Sequence, residues 1–168
     1  IAGTMDLHGG QFVDRVGVAL GLHFPTGAEL DRLSQAGEGY DPLPGSVKEG
    51  RISFGGPCSE ALRRIERAQL ETMTAGEKEA FQGAMGRAVF HAMANSLEKM
   101  LAYHLEKHPV KYLIAVGGVM RNGFLRGRLE RFCRRQHITA LFAEPRYSVD
   151  NATGVAYGAL LKTLEREG

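Results

Sequence analysis

The sequence predicts an α/β lobe, rich in helix and carrying a small mixed sheet. Two observations predict it. Lys111 to Asn122 reads as a short strand, a double glycine and the start of a helix, and Thr74 to about Glu106 reads as one long helix. Only Tyr112–Val116 and Ile138–Phe142 have the apolar, β-forming composition of core strands. In the organising stretch, Tyr112 to Val116 is long enough for one buried strand, and Gly117 and Gly118 end it. Glycine lacks a Cβ, so the backbone turns sharply there and a ligand can approach it closely. Leu125, Leu129, Phe132 and Cys133 then recur on one helical face. Strand, double glycine and helix together place free N–H groups at a helix start, where anions bind. A tight turn with no ligand explains the same residues.

The rest of the chain reads in order as follows. Ile1 to Asp6 is the tail of a strand and a turn, and Phe12, Val13, Val16, Ala19 and Leu20 mark a helix ending at Gly21. Asp14 lies at i+4 from Gly10, so both share one face of that helix. Thr26 and Glu29 form a capping box for a short helix to about Gln35. Ala36 to Gly50 reads as loop, Arg51 to Pro57 as a brief strand ending in a glycine turn, and Ser59 to Leu70 as a helix. Thr74 and Glu77 form a second capping box. It opens the long helix, roughly 45 Å at 1.5 Å per residue, which Pro109 ends. Helices about Gly123–Gln136 and beyond Asn151, with the strand Ile138–Phe142 between them, complete the chain.

Composition bounds the function. The 168 residues are 43% hydrophobic and 24% charged, enough for a real core. The net charge of +2 and pI of about 8.6 are too mild to argue for nucleic acid. Cys58 and Cys133, far apart in sequence, make no disulfide framework and fit a reducing cytoplasm. Both read as buried or inert, and Met85, Met93 and Met100 read as core. No apolar run approaches the roughly 20 residues of a membrane span.

Asp150 and Asn151 stand before a helix of small residues, Ala152, Gly154, Ala156, Gly158 and Ala159. A helix cap explains both, but small residues also allow close packing, which would bring Asp150 to the Gly117–Gly118 turn. His104 and His108 form an HxxxH pair, read as a solvated helix end. Arg121, Arg126, Arg128, Arg131, Arg134 and Arg135 read as a solvated face, or else as a contact for a phosphate backbone.

Five ordered blocks of the chain resemble one family. Gly117-Gly118-Val119 with Asn122, and Ser148-Val149-Asp150-Asn151-Ala152, are similar to the GGVxxN and TDNA motifs of the TsaD/Gcp proteins, once described as glycoproteases. Gly3 to Asp6 through Gly10 to Asp14, Phe24-Pro25-x-Gly27 and Ser53-Phe54-Gly55-Gly56 are similar to three earlier blocks. The resemblance implies an actin-like ATPase (ASKHA) fold, built of RNase H-like lobes around a cleft. It also implies transfer of a threonylcarbamoyl group from threonylcarbamoyl-AMP to an adenosine of tRNA. Carried over, Asp150 matches a metal ligand, with iron or zinc as the metal. Gly10, Asp14 and Asn122 match positions that contact an ATP-type or adenylate nucleotide beside Gly117 and Gly118.

The departures are specific. The family's metal-binding HxxxH pair belongs to an N-terminal lobe upstream, and His104 and His108 are not that pair. Val149 stands for a threonine, Gly55 for a serine, and Met120-Arg121 for two small residues. These changes point to a divergent paralogue. Residues 1–168 therefore read as a single C-terminal lobe whose partner is the N-terminal lobe of the same protein, with tRNA a partner of the whole. Alone, the lobe is expected to be inactive. It is expected to form a homodimer through the uncovered cleft face, using the helices Gln11–Leu20 and Asn151–Leu164. The alternative is a non-catalytic paralogue that makes protein contacts. No Ser/His/Asp or HExxH arrangement supports proteolysis.

Overall fold

A computed structural model describes residues 4–36, 39–45 and 47–143. The elements are α1 (Gly9–Ala19), α2 (Gly27–Ala36), the hairpin strands β1 (Val47–Lys48) and β2 (Arg51–Ile52), and α3 (Gly55–Ala68). A 3-10 turn (Leu70–Thr72) leads to α4 (Ala75–Lys107), then come β3 (Tyr112–Ala115), a second 3-10 turn (Gly118–Arg121), α5 (Gly123–Arg135) and β4 (Thr139–Phe142).

The long helix α4 is the axis. Between Gln82 and Ser96 it buries Met85, Ala88, Val89, Phe90, Ala92 and Met93. Burial on several sides of one helix requires neighbours on several sides, and α1, α2, α3 and α5 all pack on it. α1 contributes Phe12, Val16 and Leu20, α2 contributes Leu30 and Leu33, and α5 contributes Leu125. Small residues set the spacing. A Cβ on Gly86 would stand 3.0 Å from Leu30 Cδ1 and 3.1 Å from its carbonyl oxygen, so α2 crosses α4 at close range. The capping box at the start of α4 forms, with Thr74 N donating to Glu77 Oε2 at 2.9 Å.

The helix-rich α/β class holds, but the single mixed sheet does not. There are two separate two-stranded sheets among the described residues: β1 with β2, antiparallel, and β3 with β4, parallel. α5 is the crossover between the parallel strands. Their register pairs Tyr112 with Thr139 and Ala115 with Phe142. The strand β1 falls in a stretch expected to be loop. Its hairpin closes on Glu49 and Gly50, both with positive φ (51° and 72°), the geometry a two-residue turn demands. Thr4 bridges Ile52, and Met5 N donates to Ile52 O at 2.7 Å, in keeping with a strand tail there.

Four further expectations need correction. β3 is not a buried strand: Tyr112, Ile114 and Val116 are 61%, 70% and 65% exposed, because α5 packs on one face of the strand pair and no described residue covers the opposite face. The glycine turn at Gly55 is instead the first turn of α3, which therefore starts four residues earlier than Ser59. His104 is not a solvated helix end, since its Nε2 lies 2.9 Å from the carbonyl of Gly50 and holds the hairpin to α4; His108 is exposed. Finally, the apolar residues of α1 do not lie on an uncovered face, because Phe12, Val13, Val16 and Leu20 are core residues. Asn151–Leu164, the other expected interface helix, lies outside the described residues. Cys58, Cys133, Met85 and Met93 are buried, as expected.

Candidate nucleotide-binding site

Gly117 ends β3 with φ 106°, a conformation that a side chain would strain, and a Cβ there would meet nothing within 4 Å. The chain then coils through Gly118–Arg121, and Asn122 N donates to Val119 O at 3.2 Å. The first turn of α1 packs on this coil. Cβ atoms built on Gly9 and Gly10 would lie 4.0 and 3.9 Å from Val119 Cγ2. Two blocks more than a hundred residues apart in sequence thus meet at glycine surfaces. The close fit is sharpest at Gly9, where a Cβ would stand 2.9 Å from Met93 Cε.

Asn122 is only 6% exposed and caps α5: Leu125 N donates to its Oδ1 at 2.8 Å. Its Nδ2 donates to Asp31 Oδ1 on α2 at 2.7 Å. Asp14 is half-buried on α1. Among the described residues both of its hydrogen bonds fall on Oδ1, which accepts from Thr26 N at 2.9 Å and from the Thr26 hydroxyl at 3.2 Å. That hydroxyl is also 3.2 Å from Val13 O, so it serves α1, where the sequence predicts a cap for α2. α2 therefore grips both sides of the site, through Thr26 on Asp14 and through Asp31 on Asn122.

Sequence reasoning missed two carboxylates. Asp31 is one. Asp6 is the other: it accepts from Leu7 N (2.6 Å), Phe54 N (2.9 Å), Gly55 N (3.0 Å) and the Ser53 hydroxyl (2.5 Å). Burial raises its pKa, but these hydrogen bonds outweigh it and hold the carboxyl below the usual aspartate value. A Cβ on Gly55 would lie 2.6 Å from Asp6 Oδ2, so a side chain there would have to displace the carboxylate. The signals for Asp6 in the sequence were its place in the turn before α1 and in the Gly3–Asp6 motif block, and neither named its partners. Asp31 had none, because its partner is 91 residues away.

The arginine face of α5 is partly engaged. Arg128 pairs with Glu98 at 2.8 Å and donates to Asn95 at 2.9 Å, and Arg126 lies 4.8 Å from the Phe142 ring centroid. Arg121, Arg131 and Arg134 are exposed. Asp150 lies outside the described residues, so its distance from the Gly117 turn is not defined. Among the described residues, no three His, Cys, Asp or Glu side chains gather as a metal site. No helix among them is long and apolar enough to cross a membrane.

The family model for tRNA N6-adenosine threonylcarbamoyltransferase (TsaD) matches residues 1–157. The chain belongs to the TsaD family. Its relatives include the tRNA N6-adenosine threonylcarbamoyltransferase of Thermococcus sibiricus, 31% identical over 159 residues, which are 94% of this chain and 45% of that protein. The Granulibacter bethesdensis protein of the same name is 29% identical over 164 residues, 95% of this chain and 44% of its own length. The one from Bacillus licheniformis is 29% identical over 160 residues, 93% of this chain and 46% of its own. The chain thus spans less than half the length of these TsaD relatives. The match runs through the glycine turn and α5, the elements that the site is built on.

Proposed function

We propose that residues 1–168 are the C-terminal, nucleotide- and metal-binding lobe of a TsaD-like protein with an actin-like ATPase (ASKHA) fold. The whole protein would transfer a threonylcarbamoyl group from threonylcarbamoyl-AMP to an adenosine of tRNA in the cytoplasm. What supports this reading above all is the packing of the Gly9–Gly10 turn on Val119, which joins two of the family's motif blocks at one surface. Bare glycine backbone there lets a planar nucleoside lie close, and the hydrogen-bonding atoms around it suit a ribose or a base edge. Gly10, Gly117 and Gly118 would supply the surface. Asp14 would offer Oδ2, the oxygen not held by Thr26, and Asn122 the amide valences left over by its cap and by Asp31. Asp150 would hold the divalent metal, iron or zinc, together with histidines of the N-terminal lobe. That metal would supply a positive charge for the adenylate's phosphate oxygens.

The test is an assay with tRNA, ATP, bicarbonate, threonine and the adenylate-forming enzyme. The full-length protein should yield threonylcarbamoyladenosine, and the 168 residues alone should yield none. A full-length protein that makes no product, or an isolated chain that does, would overturn the reading. One observation favours a second reading, a non-catalytic partner protein: the apolar face of β3 that no described residue covers. That reading predicts a full-length protein that binds another protein and makes no modified tRNA.

A further inference from the structure

We infer that Asp31 is the positioning residue of the site, orienting the Asn122 amide toward the nucleotide. The inference rests on the nucleotide-binding reading above.

A primary amide has two N–H donors and an oxygen with two lone pairs. In Asn122 one lone pair takes Leu125 N, and one N–H goes to Asp31 Oδ1. These two bonds decide which end of the amide is which. Among the described residues they leave one donor and one acceptor for a ligand. The cap alone would hold the oxygen but not the plane, because the terminal torsion of asparagine is broad. Asp31 removes that freedom. At 2.7 Å the carboxyl oxygen is a close acceptor for the amide N–H.

Asp31 is itself held from several directions. Gly86 lets α4 press against Leu30 beside it. Arg87 donates Nε and Nη2 to Ser34 O at 3.1 and 2.8 Å, one turn further along α2. Asp14 holds Thr26 at the other end of the helix. Gln35 Nε2 reaches the same Asp31 oxygen at 3.2 Å. The carboxylate is therefore in place before any ligand arrives, and positioning of this kind lowers the ordering cost of binding.

The experiment measures ATP affinity of the full-length protein by calorimetry. Asn122→Ala should weaken binding. Asp31→Leu, which has no acceptor, should weaken it about tenfold, the size of one lost interaction of some 1.4 kcal/mol. Asp31→Asn, whose oxygen still accepts, should recover most of the loss. Asp31→Leu added to Asn122→Ala should cost nothing more. Unchanged affinity in Asp31→Leu, beside weakened Asn122→Ala, overturns the inference and leaves the nucleotide reading intact. Additive losses overturn it in the same way. Wild-type protein that does not bind ATP overturns both. Should Asp31→Leu not fold, the side-chain amide resonances of Asn122 decide: they should move in Asp31→Asn, and unmoved resonances overturn the inference.

Discussion

Asp6 shows how one exposed carboxylate can hold two segments together. It fills the start of α3 with its own charge and accepts from the backbone on both sides, at Leu7 and at Phe54–Gly55. The lowered pKa gives the pH dependence its sign. A carboxyl with a lower pKa in the folded state stabilises fully above its unfolded value of about 3.9, and loses that contribution as pH falls through the folded value. Asp6→Asn should therefore lower the stability of the protein at pH 7 by about 1 kcal/mol, the scale of a lost helix cap. The difference between the two proteins should close as pH drops below 4. Urea unfolding at pH 7 and pH 3 checks it, and a gap that stays constant would show that the charge is not what matters. Cys58 and Cys133 are quiet at this scale, since burial pushes both thiols up and away from reactivity.

Between elements, the spacing is set by missing side chains. A Cβ on Gly17 would overlap the Thr26 side chain, which is fully buried and shares its hydroxyl between Val13 O and Asp14. Alanine in place of glycine inside a helix ordinarily stabilises by up to about 1 kcal/mol. Here Thr26 has nowhere to go, and overpacking of this kind costs about 1–3 kcal/mol. Gly17→Ala should thus lower the unfolding midpoint. It should also weaken ATP binding, because Thr26 is what holds Asp14. A variant as stable as wild type would mean that α1 and α2 separate more easily than their contacts imply. His91 on α4 adds to the same layer. Its ring stacks on Tyr40 at 4.3 Å and lies 4.4 Å from Phe124, so α5 and the segment after α2 meet across it. Burial first, then Arg128 and Arg87, lower its pKa and keep it neutral.

Seen whole, the molecule has one face that its own described residues do not cover. Tyr112, Ile114, Val116 and Leu141 stand on the side of β3 and β4 away from α5. Parallel strands are almost always covered on both faces, and apolar patches left open favour association. We expect the 168-residue chain on its own to self-associate through this face. Light scattering should give a mass near twice the chain's 18.3 kDa, and Ile114→Lys should return it to the single mass. A wild-type chain that runs as a monomer at micromolar concentration would refute the expectation. The full-length protein, in contrast, should not respond to Ile114→Lys by changing its oligomeric state if its remaining half covers the face.

The long helices were legible without coordinates. Thr74 and Glu77 announce α4, Asn122 stands one residue before α5, and the periodicity of Phe12, Val16 and Leu20 marks α1, because caps and helical spacing are local properties of the chain. The family was legible too, since its motifs are short runs of adjacent residues. Contacts between distant residues decided the rest. Only folding brings Asp31 to Asn122, Asp6 to Gly55 and Gly10 to Val119. Whether β3 is buried depends on what covers its second face, which no property of Tyr112 to Val116 reveals. Side-chain hydrogen bonds across tens of residues leave no periodicity behind, so the residues expected to meet a ligand could be named from sequence, but Asp31, which holds Asn122, could not.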